Sequence, residues 1–446
     1  MPTTIRRAKA NPTKAFFVRM LTRDISLTDC ILDLIDNSID SAWSESGATP
    51  TELIEDRALA PYHVAITINA DTFQISDNCG GIDLDDATNY AFTFGRSDEE
   101  IDQAYSVGVY GIGMKRAVFK MGNAVSVVST FDDEGIDAFE VPINVSKWLV
   151  DKTDPWDFEL RQATPANETG VTITVGELFD DTVSLFEDPT YVRRLHKALA
   201  RDYMVPLMRG LTISLNGENV VAKTINFANS SAFEPLRRSY EDNGVRIEII
   251  AGMTSSPPDD VSPTEEREED ISGWYVLCNG RVVLAADRTD NTVWGSAVPK
   301  WHRQYAGFTG VVLFSSTDPM RLPMTTTKRS VDTSSAVYRR AIDKMARPTK
   351  EWIGYTNARK GDLEAARVLE QKVTSVPVIS VAKSGGLKLP SPPKTKARSV
   401  ANIAYSVDAT RLRKLSAAMG DAGMTYRDVG IQSFEYAYDS FVQDEA

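Results

Sequence analysis

Three short strings, close together and in fixed order, limit what this chain can fold into: DLIDNSID (Asp33–Asp40), SDNCGGID (Ser76–Asp83) and GVYGIGMK (Gly108–Lys115). Around the first, Ile31, Leu34, Ile35, Ile39 and Ala42 recur at helical spacing, and Ser26 or Thr28 can cap the helix they define. Asp33, Asn37 and Asp40 then fall at i, i+4 and i+7, on one other stripe of the same helix. Such a stripe is either a solvated face or one wall of a site. HVAITIN (His63–Asn69) and FQIS (Phe73–Ser76) read as paired strands, the second running directly into the second string. A helix over Leu84–Phe94, a helical pattern from Met114, the strand AVSVVST and the strand GVTITV (Gly170–Val175) follow. Helices alternating with mostly antiparallel strands predict a two-layer α/β (α+β) sandwich.

The chemistry of the strings converges on a nucleotide. Gly108, Gly111 and Gly113 precede a helix, so their backbone can approach an anion closely beside a positive helix end. Lys115 adds a full cation one turn further on. The same glycines also suit a plain turn, because no strand leads straight into them as a Walker loop requires. A polyphosphate brings Mg²⁺, which takes one or two protein oxygens and keeps several waters. The Asn37 amide oxygen can ligate it without adding negative charge. Asp33, one turn earlier, is placed to accept a proton from water, whereas Asp36 lies about 100° away around the helix. Asp77, at a strand end, can accept a hydrogen bond from an exocyclic amine such as that of adenine, or serve simply as a turn residue. Gly80 and Gly81 let the backbone pass close to the base.

Together these strings resemble the superfamily of gyrase, heat-shock chaperone, histidine kinase and MutL, the GHKL ATPases. Its motif E-x-x-x-N-x-x-D corresponds to the string from Asp33, D-x-G-x-G to DNCGG with Cys79 at the first glycine, and its glycine-rich lid to GVYGIGMK. The likeness implies a GHKL sandwich binding ATP and Mg²⁺. Asn37 would hold the metal, and Asp40, Asp77, Gly81, Ser97, Gly108, Gly111, Gly113, Met114, Lys115 and Thr172 would hold the nucleotide. VGVYGIGMKRAVFKMG is most similar to the lid of MORC-type ATPases, and GWYVLCNGRVVL with PMTTTKRSVD resembles the MORC and MutL transducer domain. By that likeness Lys328 reaches the γ-phosphate, and Asp33 and Lys328 form the catalytic pair of a slow ATPase. Asp33 stands where the family has glutamate and is shorter by about 1.5 Å. A non-hydrolysing ATP sensor that gates a partner protein is therefore the alternative. The loop Gly95–Gly111 suits a segment ordered by γ-phosphate contacts.

The organisation expected is an ATP-binding domain over 1–185, a transducer-like α/β domain over 186–345, a helix over 346–372, a linker over 373–400 and a small, mostly helical C-terminal element over 401–446. The resemblance covers residues 15 to 345 and implies a homodimer formed on ATP binding, closing as a clamp on DNA. A net charge of -13 argues against a chain that coats nucleic acid along its whole surface. The segment Arg339–Lys414 is different, with about 17 basic against about 6 acidic side chains, and is the candidate contact for DNA or a partner protein. Three dispersed cysteines, three isolated histidines and the lack of a long apolar run point to a cytoplasmic protein with no histidine–cysteine metal site and no membrane span.

Overall fold

A computed structural model describes residues 12–95, 104–108, 111–151, 156–259, 271–390 and 403–442. Met1–Pro392 forms one compact unit and Pro393–Ala446 another.

The first unit is a mixed α/β structure built on two sheets. The larger contains β1 (His63–Ile68), β2 (Phe73–Asp77), β3 (Gly122–Asp132), β4 (Ile136–Asn144), β5 (Arg161–Gln162), β6 (Gly170–Leu178), β7 (Thr212–Leu215) and β8 (Glu218–Asn219). Their order is β5-β4-β3-β6-β2-β1-β7-β8. Neighbours are antiparallel except β1 and β7, which run parallel. The sheet thus continues past residue 185, because LTISLNG supplies β7 beside β1. Alternate residues such as Val64, Ile66 and Ile68 turn to one face. There they share a buried cluster with Ile31 and Ile35 of the Leu27–Ser46 helix, Ala117 of the Gly113–Met121 helix and Leu195 of the Pro189–Asp202 helix.

The Leu27–Ser46 helix is the spine of this layer. Ser26 caps it by accepting the Asp29 N–H and donating its hydroxyl to the Asp29 carboxylate. Gly47, at φ +63°, ends it in the left-handed conformation that suits glycine. Two further helices, Pro189–Asp202 and Met204–Met208, meet at Tyr203.

The second sheet contains β10 (Leu236–Asp242), β11 (Val245–Met253), β12 (Gly273–Cys278), β13 (Arg281–Asp287) and β14 (Phe308–Ser315), in the order β10-β11-β14-β12-β13. Asn279 and Gly280 join β12 to β13 with φ of +45° and +83°, the signs of a type I′ turn. Both faces are covered. Ile247, Ile249, Val312 and Phe314 pack under Tyr338, Ala341, Met345 and Trp352 of the Ala336–Ala358 helix. Ile250, Val311 and Leu313 meet Leu53, Met204, Val205, Val378 and Val381. The second sheet therefore rests on residues that follow the spine helix and the Pro189–Asp202 helix.

Two expectations change here. The single helix expected over 346–372 is interrupted by the turn Arg359–Gly361, which ends the Ala336–Ala358 helix, and Asp362 caps a new helix, Leu363–Gln371. The proline-bearing stretch read as a linker from residue 373 begins with β15 (Thr374–Pro377), paired with β9 (Asn226–Asn229). Val378 and Val381 then bury their side chains. Arg237 secures this stretch: its guanidinium pairs with Glu248 at 3.0 Å and donates to the carbonyls of Ile379, Val381 and Leu53. Glu248 also accepts the Leu53 N–H at 2.9 Å.

The second unit shows the helices Ala409–Ala418 and Tyr426–Phe441, capped by Asp408 and Thr425. Among the described residues this unit contains no strand. Among the described residues no helix is long and apolar enough to cross a membrane.

Candidate functional site

The spine helix presents Asp33, Asp36 and Asp40 as buried carboxylates, yet Asn37 between them is exposed. Asn37 has open space beside it because Gly108 passes there; a Cβ on Gly108 would lie 3.4 Å from the Asn37 amide oxygen and 3.3 Å from Asp40. Gly113, opening its helix, similarly faces Asp33. The stripe read from helical spacing is therefore a wall that Gly108 and Gly113 of the glycine-rich string approach closely.

Cations from three distant parts of the chain meet these acids. Arg116 pairs with Asp33. Lys328 lies 2.8 Å from Asp36 and 3.3 Å from Asp33, buried, at a left-handed φ of +55°. That backbone costs a non-glycine residue about 1–2 kcal/mol. Arg281, from β13, donates to Asp36 at 3.0 Å and lies 3.2 Å from Asp202. The Tyr203 hydroxyl donates to Asp36 at 2.9 Å and to the Leu32 carbonyl. Arg329 bridges Asp29 and Asp202.

The electrostatics follow from burial set against these charges. For Asp36, burial raises the carboxyl, but Lys328, Arg281 and the Tyr203 hydroxyl more than reverse it, so it sits below the usual carboxylate range. For Lys328, burial opposes the charge, while Asp36 and Asp33 outweigh it and hold the ammonium above its ordinary value. Asp40 behaves differently. Burial is its largest influence and raises it to about 7, despite Lys328 and the N–H groups of Val107 and Gly108, each 2.9 Å away.

That value has a testable sign. An acid raised above its unfolded value of 3.8 favours the folded state fully only below that value, and the benefit is lost as pH climbs to about 7. Between about pH 4 and pH 7 the wild-type chain should therefore lose stability relative to Asp40→Asn. Denaturant midpoints across this range read the difference; parallel profiles would rule it out.

The opposite end of the pocket is built at the edge of β2. Asp77 accepts Ser38 Oγ at 2.5 Å and the N–H groups of Cys79 at 3.0 Å and Val171 at 3.2 Å. Burial raises its carboxyl, and those hydrogen bonds only partly offset the shift. Gly81, at φ +82°, passes so close to β3 that a Cβ would lie 2.2 Å from the Thr130 carbonyl oxygen. Cys79 is buried and takes no positive φ, so the residue at the first-glycine position fits without that strain. Thr172 Oγ1 shares a 2.8 Å hydrogen bond with Ser76 Oγ, one residue before Asp77.

The residues read from sequence thus divide. Asp33, Asn37, Asp40, Gly108, Gly113 and Lys328 come together, and Asp77, Gly81 and Thr172 cluster at the end of β2. Gly111 has φ +62°. Lys115 is turned away, its ammonium donating to the carbonyls of Ala91 at 2.9 Å and Thr93 at 2.6 Å. Met114 packs against the core. Ser97 and most of the Gly95–Gly111 loop lie outside the described residues. Arg116, Arg281, Tyr203 and Asp202 were not read from sequence. One signal was available for Lys115: Val118 and Phe119, three and four residues on, are buried, which puts Lys115 on the covered side.

These residues fit a magnesium nucleotide. The Asn37 side chain makes no hydrogen bond to another described residue, leaving its amide oxygen free for a cation. Gly108 and Gly113 leave a cradle along the acids. Among the described residues no group of three or more His, Cys, Asp or Glu is arranged to hold a metal alone. Magnesium would therefore be held by Asn37 jointly with phosphate oxygens. No curated protein matches the chain. Residues 25–170, which carry Asp33, Asn37, Asp77 and the glycine string, match the family described as "Histidine kinase-, DNA gyrase B-, and HSP90-like ATPase", supporting the GHKL superfamily for this part of the chain.

Proposed function

We propose that this protein is a magnesium-dependent ATP-binding switch of the GHKL type with slow hydrolysis, closest to its MORC-like and MutL-like members. One observation carries the reading: Lys328, from the segment after the second sheet, enters the pocket and contacts Asp33 and Asp36. A buried ammonium poised beside the candidate water-activating carboxylate can exchange a protein carboxylate for a γ-phosphate. The second sheet carries Arg281 into the same cluster, so the charge state of the pocket is felt in the transducer-like part.

In this reading Asn37 holds Mg²⁺, Asp77 accepts the adenine amine, Gly108 and Gly113 border the phosphates, and Asp33 receives the proton of the attacking water. Magnesium supplies charge neutralisation at the phosphates. ATP-bound copies dimerise through the first unit, and Arg339–Lys414 meets DNA or a partner protein.

Size-exclusion chromatography with light scattering, with and without a non-hydrolysable ATP analogue, tests the switch. A dimer that forms with the analogue and is lost in Asn37→Ala and Lys328→Ala is the expected result. An unchanged mass in the wild type would reduce the protein to a nucleotide-binding module.

A second reading, a non-hydrolysing ATP sensor, draws on a specific observation: both Asp33 oxygens already face cations, Arg116 and Lys328. Both cations compete with a water proton for those oxygens. Turnover equal in wild type and Asp33→Ala, with ATP binding intact in both, would favour the sensor.

A further inference from the structure

The glycine string is approached through Ser106, Val107 and Gly108, and this short stretch is gripped on two edges. On one edge the N–H groups of Val107 and Gly108 donate to Asp40. On the other, the Ser106 carbonyl accepts from Asn279 Nδ2 at 3.0 Å. Asn279 belongs to the turn between β12 and β13, in the second sheet. Its amide is fully engaged: Nδ2 also donates to the Ser316 carbonyl at 3.1 Å, and Oδ1 accepts the Ser316 N–H at 3.0 Å. The side chain is 1 % exposed.

Among the described residues Ser106 makes no other hydrogen bond, although it is buried. Its hydroxyl is buried without a hydrogen-bond partner among the described residues. Beside Val107 lies a cavity of about 40 Å³, lined also by Pro319, Leu322, Met324 and Lys328, so packing on that side is incomplete. The turn itself does not demand this amide, since a type I′ turn is satisfied by Asn, Asp or Gly at its first position. What Asn279 adds beyond its turn is the hold on Ser106 and Ser316.

We propose that Asn279 is a positioning residue of the nucleotide site: by fixing the Ser106 carbonyl it sets the backbone from which Gly108 borders the phosphates. The inference rests on the reading of this pocket as an ATP site. It gives the second sheet a direct hold on the phosphate end, separate from the hold exerted through Lys328. Asn279 touches no reacting atom and acts through Ser106–Gly108.

Asn279→Asp tests it on the full chain. Aspartate keeps the left-handed turn and the acceptor for Ser316, and removes both donors. Asn279→Gly, which keeps the turn and removes the whole side chain, serves as the second variant. Dissociation constants for a non-hydrolysable ATP analogue and for adenosine are measured in parallel, with melting temperature read alongside. Adenosine reports Asp77 and the base end alone, so its affinity should stay unchanged. Affinity for the ATP analogue should fall about tenfold in both variants, as expected for one lost, well-formed hydrogen bond at the phosphate end. Equal losses for both ligands would mean a purely structural role and overturn the inference. So would an ATP-to-adenosine ratio unchanged from a wild type that binds both. A wild type that binds neither would overturn the ATP reading, and this inference with it.

Discussion

Asp36→Asn is expected to lower the unfolding free energy of the Met1–Pro392 unit by about 3–5 kcal/mol at neutral pH. Asp36 is 2 % exposed and faces two cations that have themselves left water, Arg281 at 3.0 Å and Lys328 at 2.8 Å. Removing its charge leaves those cations under-compensated, with Asp202 remaining beside Arg281 and Asp33 beside Lys328. The amide is nearly isosteric, so the loss is electrostatic and creates no cavity. The pH dependence has a definite sign. A carboxyl held below its unfolded value of 3.8 contributes stability above that pH and loses it as pH falls further. Urea denaturation at neutral pH measures the difference. A loss under about 1 kcal/mol, the range of an exposed ion pair, would mean the network is hydrated and contributes little.

Asp77→Asn is expected to weaken ATP binding by about tenfold to a hundredfold, the range for one hydrogen bond to a charged acceptor. The fold should tolerate the change. The carbonyl oxygen of the substituted side chain can still accept the Cys79 and Val171 N–H groups, and its NH₂ can donate to the Ser38 hydroxyl. What is lost is the remaining acceptor that the proposed reading assigns to the adenine amine. Discrimination between ATP and GTP should narrow as well, since guanine presents a carbonyl where adenine presents an amine. Competition binding with both nucleotides measures this. Undiminished ATP affinity would remove Asp77 from base recognition and shift attention to Thr172 and Ser76.

Much of the site was readable because its parts are local. The stripe of Asp33, Asn37 and Asp40 follows from helical geometry over eight residues, and Asp77 with Gly81 from one strand end and its turn. The resemblance added Lys328, which no local pattern marks. Asp36 shows where local reasoning stops. Its place on the helix wheel predicted a poorer base, but nothing near it in sequence announced Arg281, which lies 245 residues away. Buried ion networks are set by which strands of a distant sheet are adjacent, and single-chain periodicity carries no register between sheets. The stretch from residue 373 misled for a related reason. Prolines and small residues read as a linker, whereas Val378 and Val381 dock it and the Arg237 guanidinium holds its carbonyls.

That docking has a mechanical consequence. Arg237 and Glu248 together grip Leu53, a few residues beyond the end of the spine helix, and the chain at Ile379 and Val381. Tension applied along the polypeptide beyond Leu389 would first meet the paired backbones of Lys388 and Glu234, then Ser384 against Arg237, and only after them this pair. Load that reached it would pass through one guanidinium to Leu53, and so to the far end of the helix that carries Asp33 and Asn37, instead of dissipating in a slack strap.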